Sequence, residues 1–257
     1  MNNTYLSKEL EVAKFTALKV GDLQLQHFRS KLNVLRKSQK DLVSNVDMEC
    51  QKLCTQLLTE NFDYCILTEE KRVNVVNDTE YLWIVDPIDG THNYISGIPI
   101  FGVSIALSSH DKFLLGVIYC PFFDDMYFAV KGYGAFLNNN RIEVSKNKDM
   151  EKSMINFDNQ LHNNKILLDM YGKIIDNSFT TRILGSAIFD LGLVASGLID
   201  ARIFNNTKIY DFAAGLTIVE EAGGKITDLS GEKVTMSSTN VLASNGHTHG
   251  RLLELMN

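Results

Sequence analysis

The segment at residues 83–94 reads WIVDPIDGTHNY. An apolar run ends in two carboxylates, Asp86 and Asp89, three residues apart. Two anions this close at the end of a buried strand repel each other and add nothing to packing, so a cation held between them would account for both. Two further acidic positions fall at similar boundaries. Glu69, followed by Glu70, comes just past the apolar run YCIL, and Asp211 opens a helical stretch. Loops at strand ends on a rigid scaffold are where ligands are usually placed. Glu69, Asp86, Asp89 and Asp211 offer only hard oxygen donors, and no His or Cys stands at ligand spacing in these motifs. That donor set selects Mg2+ or Mn2+ over zinc or copper. Pro87 stiffens the turn and removes an N–H. Gly90 lets backbone come close to a ligand, and GTHNY can start a short helix whose free N–H groups favour phosphate.

Taken singly, each of these residues has a plainer reading. An aspartate at a helix start, such as Asp211, is usually a cap. Asp47, three residues after Ser44, reads as a capping-box partner. A Glu-Glu pair after a strand is usually a solvated loop, and DPIDGT alone could be a turn.

The elements that would position these residues follow from periodicity. Residues 5–28 carry Leu6, Leu10, Ala13, Ala17 and Val20 at helical spacing. The polar, basic RKSQKD follows, and then a helix capped at Ser44 with Val46, Cys50, Leu53, Cys54, Leu57 and Leu58 as its buried stripe. YCIL, YLWIV, FGVSIALSS, FLLGVIYC and DMYFAV are closely spaced runs rich in β-branched and aromatic residues, which predicts an antiparallel sheet. GYGAFLNNNRIEVS adds one more hairpin. From about residue 150 strands alternate with helices: SMINF, a helix near 162–175, TTRILG, SAIFDLGLVASGLI, DARIF, DFAAGLTIVEEA, KITDL, NVLASN and a short terminal helix. The alternation predicts a layered α/β half. The division expected is an α+β half at 1–145 with most of the acidic positions and an α/β half at 146–257 completing the site, packed as one unit.

Composition sets wider bounds. The chain has 257 residues, 45% of them apolar and 22% charged, ordinary values for a globular protein with an ample core. Its net charge of -6 argues against general attraction to nucleic acid or an anionic membrane. The N-terminus lacks the pattern of a signal peptide, and no apolar run approaches membrane-spanning length. A cytoplasmic protein is therefore expected. Cys50, Cys54, Cys65 and Cys120 are expected to be reduced core thiols. No P-loop is present.

Together the motifs resemble the inositol monophosphatase family of metal-dependent phosphatases. DLVSNVD at 41–47 is similar to that family's D-L-V-T-x-x-D, and Glu69-Glu70 to its G-E-E. WIVDPIDGTHNYISGIPIFGVSIAL resembles its D-P-I-D-G-T-x-N-F block, and YDFAAGLTIVEEAGG its W-D-x-A-A-G…E-A-G-G block. The resemblance covers nearly the whole chain. It implies the sugar-phosphatase αβαβα sandwich with the site between the halves. It also implies two or three Mg2+ ions (Mn2+ as substitute) held by Glu69, Asp86, the carbonyl of Ile88, Asp89 and Asp211. Thr91, paired with Asp47, would orient and help deprotonate the attacking water, and the Gly90 and Thr91 amides would hold phosphate. Gly185, Ser186 and Ala187 would face the rest of the substrate, a small phosphorylated metabolite, and relatives of this kind are commonly homodimers. The Asp-x-x-Asp spacing differs from the Asp-x-Asp of haloacid-dehalogenase phosphatases, where an aspartate is the nucleophile; a metal-activated water is expected instead.

Departures from the family pattern bear mainly on substrate. Thr68 replaces a glycine before the acidic pair, His92 follows Thr91 at a variable position, and Tyr210 replaces a tryptophan. Inositol-specific members usually carry a glutamate seven residues before the second-half aspartate, where this chain has Phe204, followed by Asn205 and Asn206. The expected activity is hydrolysis of inositol-1-monophosphate or a related sugar or polyol phosphate, without strong selectivity for inositol. Histidinol phosphate, fructose-1,6-bisphosphate and 3'-phosphoadenosine 5'-phosphate are alternatives, as is a mainly regulatory role with RNA or the transcription machinery.

Overall fold

The computed structural model describes residues 6–36, 42–69, 72–73, 80–110, 112–158 and 164–256. The elements in chain order are α1 (Ser7–His27), β1 (Val34–Arg36), β2 (Leu42–Ser44), α2 (Asn45–Thr59), β3 (Cys65–Thr68), β4 (Arg72–Val73), β5 (Tyr81–Asp89), α3 (Thr91–Ile95), β6 (Gly102–Ser109), β7 (Lys112–Cys120), β8 (Asp125–Val130), β9 (Ala135–Leu137) and β10 (Asn140–Ile142). A 3-10 turn at Met150–Lys152 leads into β11 (Met154–Asn156), α4 (Lys165–Asn177), β12 (Thr180–Arg182), α5 (Ala187–Ala195), β13 (Ala201–Phe204), α6 (Ile209–Glu221), β14 (Lys225–Thr227), β15 (Val241–Ser244) and α7 (His249–Met256).

The strands form an eight-stranded sheet, β10-β9-β8-β7-β6-β5-β3-β4, and a five-stranded sheet, β12-β11-β13-β15-β14. The first is antiparallel except where β3 runs parallel to β5. The second is mixed: β11 is parallel to β12 and β13, while β15 is antiparallel to β13 and β14. Period-two alternation explains how one sheet serves two cores. On β7, Leu115, Val117 and Tyr119 face Ala13, Ala17 and Val20 of α1 and Cys50 and Cys54 of α2. Ile118 and Cys120 face the other way, onto Leu191 of α5 and Phe212, Leu216 and Val219 of α6. The same central helices bury the five-stranded sheet through Val241 and Ala243. Its far face, Ile155, Ile203 and Leu242, packs on Met170 and Ile174 of α4 and Leu252 of α7. The layers are therefore helix, sheet, helix, sheet, helix, with α5 and α6 shared between the two sheets.

Four details differ from the sequence expectation. The short hairpin β1–β2 was not anticipated: Val34 and Leu35 are exposed, so no buried alternation marked it, and residues 37–41 of the basic stretch lie outside the described residues. The first sheet contains one parallel pair. The α5 helix stops at Ala195 and turns through Gly197, well short of residue 199. Asp86 is not past the end of its strand but inside β5. All four cysteines are free thiols. No helix among the described residues is long and apolar enough to cross a membrane.

Candidate active site

A bulge builds the centre of the site. On β5, Asp86 pairs with Ser104 of β6 and Asp89 with Gly102, so three steps on one strand match two on the other. Pro87 has no N–H to give to the ladder, which favours this interruption. In a regular strand, residues three apart face opposite sides. The extra residue puts Asp86 and Asp89 on one side, where ligand atoms of Asp86, Asp89 and Asp211 all lie within 4.8 Å of one another.

The three carboxylates are held differently. Asp86 Oδ1 accepts the Ile88 N–H at 3.1 Å. Asp89 accepts from Ser186 Oγ, from Ala187 N at 3.2 Å and from Ile188 N at 3.3 Å, all at the start of α5. Asp211 uses one oxygen, Oδ2, for both the Thr207 hydroxyl at 2.7 Å and the Lys208 N–H at 2.8 Å. It is thus a cap and a cluster member at once.

Electrostatics shows the strain of this arrangement. Burial pushes the Asp86 carboxyl well above the ordinary carboxylate range, and the charges of Glu69, Asp89 and Asp211 push it further. Burial lifts Asp89 to about 6 against its three hydrogen bonds. Burial and then Asp89 lift Asp211 to about 6. Glu69 is not among the three converging carboxylates, but it is near enough to act on Asp86; Glu70 lies outside the described residues. Buried hard-oxygen donors that resist ionisation, and that repel one another when ionised, fit a hard divalent cation.

Beside this cluster, Thr91 Oγ1 lies 3.2 Å from Asp47 Oδ1 and 3.0 Å from the Ile88 carbonyl oxygen. The other oxygen of Asp47 accepts the Ser44 N–H at 2.7 Å and the Ser44 hydroxyl at 2.5 Å, closing the capping box of α2. As with Asp211, one carboxylate both caps a helix and reaches into the site. Gly90 precedes α3 with φ +81, and a Cβ there would stand 2.7 Å from the Ile100 carbonyl oxygen. Thr91 opens α3, whose first N–H groups have no intrahelical acceptor.

Gly185, Ser186 and Ala187 line a cleft of about 140 Å³ together with Asp89, Asp158, Arg202, Phe204 and Asp211. Two of the three also grip Asp89, a contact the sequence did not announce. Phe204 is 1% exposed and belongs to the central core, with the Arg202 guanidinium 4.5 Å from its ring centroid. The cleft also holds a carboxylate the sequence did not single out: Asp158 is buried in that wall and accepts the Asn205 N–H at 3.2 Å. Behind it, Arg202 Nε stands 2.9 Å from Asp190 Oδ2, a contact of charges too bent for a hydrogen bond, and Asn156 donates to Asp190 at 2.5 Å.

Sequence reasoning also passed over Gln24 and Asn93. Buried Gln24 of α1 donates to the Pro87 carbonyl at 2.8 Å, and the Tyr94 hydroxyl donates to the Gln24 carbonyl at 2.7 Å. A polar residue in the stripe Ala13, Ala17, Val20, Gly21, Gln24 was the available signal. For Asp190 it was a charge inside the apolar run IFDLGLVA. Asn93 lay in plain view in the motif with no contact assigned to it.

Residues 6–257 match the family model described as the inositol monophosphatase family. The chain is 34% identical over 256 residues to a protein of Aquifex aeolicus named fructose-1,6-bisphosphatase/inositol-1-monophosphatase, covering 97% of this chain and 96% of that one. A crystal structure of the extragenic suppressor protein SuhB from Bartonella henselae superposes with a TM-score of 0.94 at 33% identity, covering 98% and 99% of the two chains. A structure titled as an IMPase/NADP phosphatase complexed with Mg2+ and phosphate superposes with a TM-score of 0.87 at 27% identity, covering 99% and 97%. With this layered fold and matches along its whole length, the chain belongs to the inositol monophosphatase family, phosphatases that act on phosphate monoesters.

Proposed function

We propose that the chain hydrolyses a small phosphate monoester by attack of a metal-activated water. In this reading Asp86, Asp89 and Asp211, with Glu69 and the Ile88 carbonyl, hold Mg2+, with Mn2+ as a substitute. The observation that carries it is the convergence of three carboxylates within 4.8 Å, Asp86 and Asp89 buried and Asp211 half-buried, beside the Thr91–Asp47 pair. Bound Mg2+ supplies charge neutralisation and lowers the pKa of a coordinated water. Thr91 Oγ1 would orient the water and take a proton from it while handing its own to Asp47 Oδ1, and Ser44 keeps the other Asp47 oxygen fixed. The N–H groups of Gly90 and Thr91 grip the phosphate as the first donors of α3. No side chain has to act as nucleophile, since phosphoryl transfer is chiefly a problem of positioning and of spreading charge.

The substrate wall supports a small ester without strong selectivity for inositol. The position where inositol-specific relatives carry glutamate is a core phenylalanine, so polyol hydroxyls facing it lose a charge-assisted partner, worth about 1–3 kcal/mol for each group left unpaired. Inositol-1-monophosphate and related sugar or polyol phosphates remain the first candidates, ahead of histidinol phosphate, fructose-1,6-bisphosphate and 3'-phosphoadenosine 5'-phosphate. We also infer a homodimer. Exposed Phe122 and Phe123 form a ring-contact chain with Phe28 and Phe189, an apolar patch of the kind that interfaces cover.

The test is kcat/KM for this panel of esters with Mg2+ and with excess EDTA. Hydrolysis is expected only with Mg2+, with inositol monophosphate favoured by no more than about tenfold over every other ester. Full turnover in EDTA would overturn the mechanism. Strong inositol selectivity would overturn the reading of the wall and transfer the contact to Asp158 or Asn205. Absence of turnover on every ester would favour a mainly regulatory protein.

A further inference from the structure

Asn93 sits in α3, immediately after the carboxylate bulge, and its amide nitrogen spends both protons on carbonyls of distant segments. Nδ2 donates to Ile100 O at 2.9 Å, within its own half, and to Leu184 O at 2.8 Å, in the other half. The residue after Leu184 is Gly185, at φ +76; a Cβ there would lie 3.2 Å from Asn93 Nδ2 and 3.3 Å from its Oδ1. The amide therefore lies against a backbone position that only glycine occupies without strain. Next come Ser186, Ala187 and Ile188, the three donors that hold Asp89. Ser186 Oγ is fixed in turn, because it accepts the Phe189 N–H at 3.3 Å as the cap of α5.

From this chain of contacts we propose that Asn93 is a positioning residue for the metal site. It anchors the 184–186 segment, and that segment aims the start of α5 at both oxygens of Asp89. The logic is loop entropy. Residues 183–186 link β12 to α5 with no ladder of their own, and a short connector held at one end samples many orientations. Two hydrogen bonds from one planar amide fix its distance from the carboxylate bulge. Without them the three donors on Asp89 would hold it in a wider range of orientations, and a cation that demands near-ideal octahedral geometry would bind more weakly. Groups that orient metal ligands from outside commonly change metal affinity by about 10- to 100-fold when removed. The inference rests on the reading that Asp86, Asp89 and Asp211 hold Mg2+.

The experiment measures Mg2+ binding to the full chain by isothermal titration calorimetry, without substrate. Asn93→Leu keeps approximate volume, adds no charge and removes both donors; if it does not yield folded protein, Asn93→Ser, which retains one donor, is read in the same way. The expected result is a Mg2+ dissociation constant raised about tenfold, with the KM for the ester changed less than threefold at saturating Mg2+. Ser186→Ala should also weaken Mg2+ binding, and the double variant should be clearly less than additive, because both act through the same segment although Asn93 makes no hydrogen bond to Ser186. Unchanged Mg2+ affinity with only a lowered melting temperature, or strictly additive effects, would overturn the proposal. If the carboxylates do not hold Mg2+, the wild type itself shows no binding; if only the Asn93 role is wrong, the wild type binds and the variant matches it.

Discussion

Replacing Asp211 by asparagine should stabilise the metal-free protein while abolishing its catalysis. The geometry makes this substitution unusually clean. Both hydrogen bonds to Asp211 converge on Oδ2, so an amide oxygen in the same place can accept them both, and the NH2 group then replaces the other oxygen. Burial and the Asp89 charge raise the Asp211 carboxyl from 3.8 to about 6. At about 1.4 kcal/mol per pH unit, this amounts to about 3 kcal/mol against the charged form. Loss of the negative charge in the first turn of α6 takes back up to about 1 kcal/mol, leaving a net gain of about 2 kcal/mol. For a chain of this size that is about 4–8 °C in melting temperature. The sign with pH follows from the direction of the shift. A carboxyl with a raised native pKa favours folding while protonated, and that contribution is lost as pH rises from 3.8 through about 6. The variant's advantage should therefore be small near pH 4.5 and complete above about pH 6.5. Differential scanning calorimetry in EDTA at pH 4.5, 5.5 and 7.5 reads it directly. Equal stability of the two proteins at pH 7.5, or an advantage independent of pH, would refute the reasoning. Adding Mg2+ should reverse the order, since the wild type gains by binding and the variant has lost a ligand.

The remaining predictions concern the Thr91–Asp47 pair and the buried ion pair. Thr91→Ala and Asp47→Asn should each lower kcat by about 10²-fold, and the double variant, read by steady-state kinetics, should be clearly less than additive. Arg202→Met should cost about 3–5 kcal/mol by leaving the fully buried Asp190 without its cation. Pairing it with Asp190→Leu should recover most of that loss in denaturant titrations; no recovery would show that the two are not energetically coupled.

Much of the architecture was legible because local period and local burial agree. The stripe Val46, Cys50, Cys54, Leu58 of α2 faces one core just as its spacing requires, and the alternation on β7 divides two cores between its faces. The acidic positions were legible for a different reason. Carboxylates beside proline and glycine at the end of an apolar run conflict with packing, and such conflicts concentrate at functional sites. Where the local signal was weak, the reading missed. The hairpin β1–β2 buries too little to alternate, and Asp158 had no motif around it.

The sequence by itself determined which residue types were available: hard-oxygen donors, a proline at the bulge, a glycine before α3, and the helices and strands that carry them. Only the tertiary structure decided how they are used. Asp86 and Asp89 share a side because a bulge against β6 shifts the strand by one residue, which depends on the partner strand and not on β5 alone. Asp89 is held by donors 97–99 residues away, Thr91 meets Asp47 across 44, and Asn93 reaches Leu184 across 91. Local pattern encodes the period of an element and the face it buries. The pairing of one element's polar atoms with another's is set by how the layers pack, so the acidic cluster could be anticipated from sequence while the contacts that hold it could not.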